Sequence, residues 1–134
     1  YELEVIGQPV NGLNINAGYS QFKISADDGV TLDVNSSHPR KQANLFTTYN
    51  LVNIMPKLTL GGGVNWQDKI SEGSIEQDAY ALVNLMGRYE VNNDVQLQLN
   101  VNNLLDETYY NYINASQVRY GAPANWKLSL KYSL

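Results

Sequence analysis

Several residue types on which most functional sites depend are scarce or missing in this sequence. It contains no cysteine and a single histidine, His38, in 134 residues. Without cysteine there is no disulfide framework, zinc–thiolate cluster or thiol nucleophile. One histidine leaves no second partner for a histidine-based metal site. We therefore predict that the protein holds no metal ion.

Charge is scarce as well. Nine Lys and Arg face 13 Asp and Glu, which gives a net charge of −4, and charged residues make up only 16% of the chain, against about 25% in average soluble domains. The acidic balance argues against a nucleic-acid partner, which needs a basic face to neutralise phosphates. No apolar run approaches the roughly 18 residues of a spanning helix. A membrane β-barrel stays open, because its strands carry a weaker hydropathy signal.

What the sequence does contain is alternation with a period of two, which is typical of β-strands. The last segment is the clearest, since Trp126, Leu128 and Leu130 alternate with Lys127 and Ser129. We predict an all-β protein, an antiparallel up-and-down meander of about seven strands. The strands fall near residues 2–5, 13–20, 42–51, 58–67, 81–91, 95–102 and 126–134.

The segments between these strands alternate in length. Short connections lie near residues 9–12, 52–57 and 92–94, and long ones near 26–41, 71–78 and 109–125. A meander with tight turns at one end and long loops at the other is the asymmetry of outer-membrane barrels.

The two phases of the strands differ in character. The apolar phase carries no charge between its aromatic ends, whereas the other phase holds charged residues such as Glu4, Arg88 and Lys127. Because Tyr and Trp prefer the lipid–water interface, this pattern predicts a lipid face bounded by two aromatic girdles and a wet lumen. The girdle residues are Tyr49, Tyr89 and Tyr132 at the turn end, and Tyr19, Trp66 and Trp126 at the loop end.

A second interpretation stays open from the alternation alone. A self-standing small β-barrel or sandwich, with a dry core on one face, would alternate in a similar way. Such a protein would act as a ligand-binding or structural surface protein. The small Gly, Ser and Asn residues on the polar phase favour the membrane interpretation, because a soluble surface would carry more Lys and Glu there.

A family resemblance comes from Leu99–Tyr110, LNVNNLLDETYY. This run resembles the N-x-x-N-L-x-D-x-x-Y motif that ends the penultimate long strand of TonB-dependent outer-membrane receptors. The matching residues are Asn100, Asn102, Asn103, Leu104, Asp106 and Tyr109 or Tyr110. Three further pieces fit the ferric-siderophore branch, namely Tyr120-Gly121-Ala122-Pro123, Gln77-Asp78-Ala79-Tyr80 and Leu60–Trp66. The sequence departs from the family pattern at Ala124, where Arg is usual, and at Leu134, where Phe is usual.

The resemblance implies the C-terminal part of a transmembrane β-barrel of about 22 strands with a plugged lumen. Residues 1–134 would then be a C-terminal barrel fragment without the plug domain and the N-terminal strands. The implied function is TonB-dependent uptake of ferric siderophore across the outer membrane of a Gram-negative bacterium, with long loops outside and short turns in the periplasm. The fragment alone would not be transport-competent, and the resemblance implies that it is not an enzyme and holds no cofactor.

The resemblance also implies partners. These are outer-membrane lipid, ferric siderophore bound by the whole receptor, and TonB, which would engage the missing N-terminal part. Barrel assembly machinery would read a C-terminal signal that includes Tyr132 and Leu134.

The best ligand-binding candidates lie in the loop from Tyr109 to Tyr120. Aromatic rings offer flat apolar faces to an iron chelate, and Arg can pair with an anionic one. The candidates are Tyr112, Arg119 and Tyr120. For these three residues a ligand-binding role and its absence stay equally open, whereas a girdle role is favoured for Tyr109 and Tyr110. The cluster Asp27, Asp28 and Asp33 does not have the spacing of a calcium loop, and we interpret it and the loop residue His38 as solvated.

Overall fold

The computed structural model describes residues 1–22, 39–72, 75–113 and 117–134, and in these ranges it is all-β. The strands are β1 Glu2–Val10, β2 Leu13–Gln21, β3 Lys41–Leu51, β4 Met55–Gln67, β5 Ile70–Glu72, β6 Ile75–Gln77, β7 Tyr80–Glu90, β8 Val95–Asn102, β9 Tyr110–Ile113, β10 Val118–Tyr120 and β11 Asn125–Tyr132. No helix in the described ranges has the length and apolar character needed to cross a membrane. The positions of His38 and the three aspartates lie outside the described residues.

Seven of these strands form one antiparallel sheet in the order β1-β2-β3-β4-β7-β8-β11. Every strand pairs with the next long strand along the chain, so the predicted meander of seven strands is confirmed. The last strand pairs with β8 from Asn125 opposite Asn102 to Tyr132 opposite Val95. β1 and β11 form the two opposite edges of the sheet. The sheet is therefore open, and these seven strands do not close on themselves as a self-standing barrel would.

Three tight turns lie at one end of the sheet, which we call the turn end. The first is Asn11–Gly12, in which Gly12 adopts a φ of 86°. A side chain there would be strained, and its Cβ would lie 2.7 Å from the Asn50 carbonyl oxygen, so glycine suits this position. β1 runs through Pro9 with a register shift between Gly7 and Val10. An edge strand tolerates a proline in this way.

The register confirms the predicted separation of faces. Directly opposed residues share one face of a sheet, and the next residue along each strand lies on the other. One row joins Leu13, Tyr49, Leu60, Gly87, Leu99 and Leu128 across six strands. The neighbouring row joins Asn14, Thr48, Gly61, Met86, Asn100 and Lys127. We call the first the apolar face and the second the polar face.

The apolar face is uncovered. Leu128 is 60% exposed and Leu130 is 67% exposed, although both lie in the middle of β11. In the described residues only Ile70 and Met86 are buried apolar side chains. A soluble monomer rarely exposes a continuous apolar patch of this extent. The sheet therefore needs an apolar medium or partner on this face.

The polar face contains a local packed patch that alternation did not indicate. Phe46 lies against Gly63, where an added Cβ would come within 2.9 Å of its ring. Met86 lies against Gly61 in the same way, at 3.2 Å from its terminal methyl carbon. Each glycine thus provides the space that a large side chain on a neighbouring strand fills. Met86 is buried in this patch, so the side chains there pack against neighbouring strands, and the wet lumen stays a prediction.

The two described long connections are not plain loops. The connection predicted near residues 71–78 contains two short strands, β5 and β6, which pair as a hairpin. The connection between β8 and β11 contains a second hairpin of β9 and β10. We call these the first and second hairpins, and both lie at the end of the sheet opposite the tight turns, which we call the loop end.

Candidate functional site

Asn103 organises the loop end where β8 finishes. It is the one buried polar side chain among the described residues, at 4% exposure, and its φ is 51°. Its backbone N–H donates to Asn84 Oδ1 at 3.0 Å, which ties it to β7. Asparagine tolerates this left-handed backbone conformation better than most residues do. The position therefore suits both the turn and the hydrogen bonds that follow from it.

The Asn103 side chain joins the two legs of the second hairpin. Its Nδ2 donates to the Glu107 carbonyl oxygen at 2.9 Å and to the Ala122 carbonyl oxygen at 3.0 Å. Its Oδ1 accepts from the Glu107 N–H at 2.8 Å. The hairpin is thus anchored on both sides by one side chain. We call this set of contacts the Asn103 knot.

Asp106 completes the anchor. It also has a positive φ, 52°, and its Oδ1 accepts from the Ala124 N–H at 2.8 Å. The motif residues Asn103 and Asp106 therefore have a structural role, which sequence reasoning had not assigned. Ala124 makes this hydrogen bond with its backbone N–H. The bond is therefore compatible with alanine at this position, where the family usually has Arg.

The tyrosines in and beside the second hairpin form two ring pairs. The rings of Tyr80 and Tyr109 stack with centroids 4.6 Å apart. The rings of Tyr110 and Tyr120 are tilted, with centroids 5.0 Å apart. The side-chain hydrogen bond with Tyr120 raises the pKa of Tyr110. These contacts give Tyr109 and Tyr110 packing partners within the loop end; the girdle interpretation of them stays a prediction.

The sequence-predicted ligand residues come together in this hairpin. Tyr112 lies directly opposite Arg119 in the strand register, and Tyr120 lies opposite Tyr110. Tyr120 is 61% exposed.

Of the predicted girdle residues, Trp66 lies opposite Ala43 on the apolar face, in line with Tyr19. The remaining four, Tyr49, Tyr89, Trp126 and Tyr132, share that face through Leu60, Leu97, Val101 and Val95. Tyr132 ends β11, two residues before Leu134.

A shallow depression lies next to this aromatic cluster on the polar face. It has a volume of about 260 Å³, and its lining includes Asn44, Asn65, Gln67 and Tyr80. Ligand pockets usually have volumes of about 300–1,000 Å³. The depression is thus too small and too open to enclose a chelate alone, and a complete pocket needs further walls.

Similarity to known proteins identifies what kind of sheet this is. The family model described as TonB dependent receptor-like, beta-barrel matches residues 1–104. The chain belongs to this family. A ferric-pyoverdine receptor of Pseudomonas putida is 39% identical over 135 residues, which covers 98% of this chain and 16% of the relative. The catecholate siderophore receptor Fiu of Escherichia coli is 30% identical over 140 residues, covering 96% of this chain and 18% of that receptor.

A solved structure agrees with the family assignment. The pyoverdine outer-membrane receptor FpvA from Pseudomonas aeruginosa, bound to pyoverdine, superposes with a TM-score of 0.89 at 32% identity. The match covers 99% of this chain and 21% of that receptor. The predicted antiparallel barrel fold is therefore confirmed. These relatives are receptors rather than enzymes, and the chain spans about a sixth to a fifth of their length.

Gly121 provides a test of the packing in this site. It lies against the Tyr109 ring, and its N–H donates to the Tyr109 carbonyl oxygen at 2.8 Å. A Cβ at Gly121 would overlap the ring. We expect Gly121→Ala to displace Tyr109 from Tyr80 and to destabilise the loop end by about 1–3 kcal/mol. Gly7→Ala is the control, because nothing lies within 4 Å of its Cβ position.

The measurement for both alanine variants is native-state amide hydrogen exchange of the loop-end amides. Protection should fall in Gly121→Ala and stay near the original value in Gly7→Ala. Equal protection in the two variants would show that the Tyr109 ring is free to move aside.

Proposed function

We propose that these residues form part of an outer-membrane receptor for TonB-dependent uptake of ferric siderophore in a Gram-negative bacterium. The observation that carries this proposal is the sheet with one uncovered apolar face and one polar face, in a chain of the TonB-dependent receptor family. Relatives that bind ferric pyoverdine or catecholate siderophores support the class of ligand. Transport, rather than catalysis, is the proposed activity.

The proposed place of this chain is the C-terminal part of a larger barrel. Support comes from the two unpaired edges, β1 and β11, which would pair with strands outside these residues. In this arrangement the apolar face contacts outer-membrane lipid and the polar face lines the lumen. The plug domain and the segment that engages TonB would lie outside residues 1–134, so the fragment alone would not transport.

The aromatic residues of the apolar face have a proposed role in placing the barrel in the membrane. Tyr and Trp are favoured where lipid meets water. The proposed girdles are Tyr49, Tyr89 and Tyr132 at the turn end, and Tyr19, Trp66 and Trp126 at the loop end. Tyr132 and Leu134 are also the proposed assembly signal read by the barrel assembly machinery.

The proposed ligand face is on the second hairpin, with Tyr112, Arg119 and Tyr120 as its members. Tyr120 supplies an exposed ring, and Arg119 supplies a positive charge suited to an anionic chelate. The small volume of the neighbouring depression supports a ligand site shared with other parts of the receptor. This arrangement explains why the chain alone should bind weakly, since most contacts would be absent.

Titration of the full-length receptor with a panel of ferric siderophores, followed by tryptophan and tyrosine fluorescence, tests this function. We expect binding of at least one ferric siderophore. The combined substitution Tyr112→Ala, Arg119→Ala and Tyr120→Ala should weaken it by about 30-fold or more, because buried aromatic and Arg anchors each contribute about 2 kcal/mol or more when they form binding hot spots.

Asn111→Ala, on the same hairpin, is the matched control and should leave affinity unchanged. Absence of binding to any ferric siderophore would contradict the proposed function. Unchanged affinity in the combined variant would show instead that the ligand face lies elsewhere.

A further inference from the structure

The first hairpin contacts the second through one short hydrogen bond. Gln77 ends β6 in the first hairpin, and its Oε1 accepts from the Tyr110 N–H at 2.6 Å. Tyr110 begins β9 in the second hairpin, 33 residues further along the chain. The Gln77 Nε2 donates to the Asp78 carbonyl oxygen at 3.0 Å, which fixes the orientation of the side-chain amide. The bond therefore joins two separate connections of the sheet.

A second contact joins the second hairpin to the start of β7, which follows the first hairpin. Tyr80 follows the first hairpin, and Tyr109 precedes β9 in the second. Their rings stack, and the Tyr109 ring also lies against Gly121 on the far leg of the second hairpin. The buried Ile70 at the start of β5 shows that the first hairpin is packed rather than free in solvent. Contacts at two successive residues thus hold the second hairpin in place, Tyr110 against the first hairpin and Tyr109 against the start of β7.

The residue held by Gln77 belongs to the aromatic surface of the site. The Tyr110 ring lies 5.0 Å from the Tyr120 ring, and the two residues are opposed in the strand register. A register shift separates this pair from the pair of Arg119 and Tyr112. The ladder of the second hairpin is thus irregular at the point where Gln77 accepts a hydrogen bond. A two-stranded hairpin is only marginally stable alone, and a register shift weakens it further. A hydrogen-bond acceptor from outside the hairpin, here Gln77, therefore stabilises one arrangement of the side chains at this point.

We propose that Gln77 is a positioning residue that joins the two hairpins into one unit and holds the Tyr110–Tyr120 ring pair in place for an aromatic, anionic ferric chelate. This inference rests on the proposed function for the ligand, but the joining of the hairpins does not depend on any ligand. Its consequence is that the first hairpin influences ligand affinity without contacting the ligand. Preorganisation of this kind raises affinity by lowering the ordering cost on binding.

The test compares three variants of the full-length receptor in lipid vesicles. Gln77→Ala removes the acceptor. Gln77→Glu keeps an acceptor oxygen at the same position along the side chain but loses the Nε2 donor to Asp78, and it serves as the conservative variant. Glu76→Ala truncates the neighbouring exposed residue of β6 and serves as the matched control. Amide hydrogen exchange of the second hairpin is measured without ligand, and ferric siderophore affinity is measured by fluorescence titration.

We expect Gln77→Ala to speed exchange at the Tyr110 amide and its neighbours by about tenfold and to weaken ferric siderophore binding by about tenfold. The reason is that the substitution leaves the Tyr110 N–H without this acceptor, and the loss of one hydrogen bond changes an equilibrium constant by about tenfold. Gln77→Glu should recover much of the exchange protection, and Glu76→Ala should change neither exchange nor affinity. If Gln77→Ala impairs folding, Gln77→Leu, which keeps the side-chain size but has no acceptor, replaces it in both measurements.

Two results would overturn the inference. The first is unchanged exchange at the Tyr110 amide in Gln77→Ala. The second is faster exchange in Gln77→Ala with unchanged affinity, which would show joined hairpins without a positioning role. Failure of the unaltered receptor to bind any ferric siderophore would instead overturn the proposed function, and the ligand-free exchange would still decide whether the hairpins are joined.

Discussion

Replacement of Asn103 by glycine should lower the free energy of opening at the loop end by about 2–4 kcal/mol. The substitution keeps a backbone that suits the φ of 51°, but it removes the three side-chain hydrogen bonds to Glu107 and Ala122. Those partners lie on both legs of the second hairpin, so both legs should lose protection together. Native-state amide hydrogen exchange of the full-length receptor measures this local opening directly.

Two further variants separate the causes. Asn103→Ala should cost about 1 kcal/mol more than Asn103→Gly, because a Cβ disfavours the left-handed conformation. Asn102→Ala should have an effect below about 1 kcal/mol, since this exposed neighbour makes one side-chain hydrogen bond, to Asn125. Loss of protection confined to one leg of the hairpin would show that the Asn103 knot does not join the two.

Arginine at Thr47 should destabilise folding into a bilayer by about 2–4 kcal/mol, whereas arginine at Thr48 should cost less than about 1 kcal/mol. The two threonines are adjacent in the middle of β3 and have the same size. Thr47 lies opposite Ile15 and Gly62 on the apolar face, and Thr48 lies opposite Asn14 and Gly61 on the polar face. A charge on the lipid face must lose its hydration, whereas a charge in a wet lumen keeps it.

Urea titration of the folded fraction in lipid vesicles measures the difference between Thr47→Arg and Thr48→Arg. Each variant serves as the control for the other, because only the face changes. Equal costs would show that both faces meet the same medium. A larger cost at Thr48 would show that the faces are assigned the wrong way round.

The strands and their faces could be predicted from the sequence because both depend on local alternation. Leu97, Leu99, Leu128 and Leu130 lie on one face because a residue two positions along a strand must return to that face. Pairing of sequential strands then followed from the short connections. No information from distant parts of the chain was needed for this level of the structure.

The short hairpin strands, the Asn103 contacts and the packing on the polar face depend on residues that are distant in the sequence. No local sequence pattern therefore indicated them. β5 has three residues and β9 has four, too few for alternation to distinguish a strand from a loop. Asn103 matched a family motif, but its partner Ala122 lies 19 residues away and contributes only a carbonyl oxygen. The packing of Phe46 on Gly63 depends on the register between β3 and β4. The polar phase therefore looked uniformly wet, although part of it is packed.

The site was only partly accessible to sequence reasoning for the same reason. The concentration of tyrosines between residues 109 and 120 indicated an aromatic surface, and the structure pairs Tyr110 with Tyr120 there. Gln77 was noted only as part of a family-like run. Its contact with Tyr110 depends on two hairpins meeting in space, which neither hairpin's sequence specifies alone.

The most direct test of the two-faced membrane sheet uses its lack of cysteine, which allows single cysteines to be introduced and spin-labelled in these residues. Labels at Leu97, Gln98, Leu99 and Asn100 of the full-length receptor are measured in a bilayer for collisions with oxygen, which concentrates in lipid, and with a water-soluble nickel reagent. We expect oxygen collisions to be highest at Leu97 and Leu99 and nickel collisions to be highest at Gln98 and Asn100. An absent period of two, or the opposite phase, would contradict the assignment of the lipid and lumen faces.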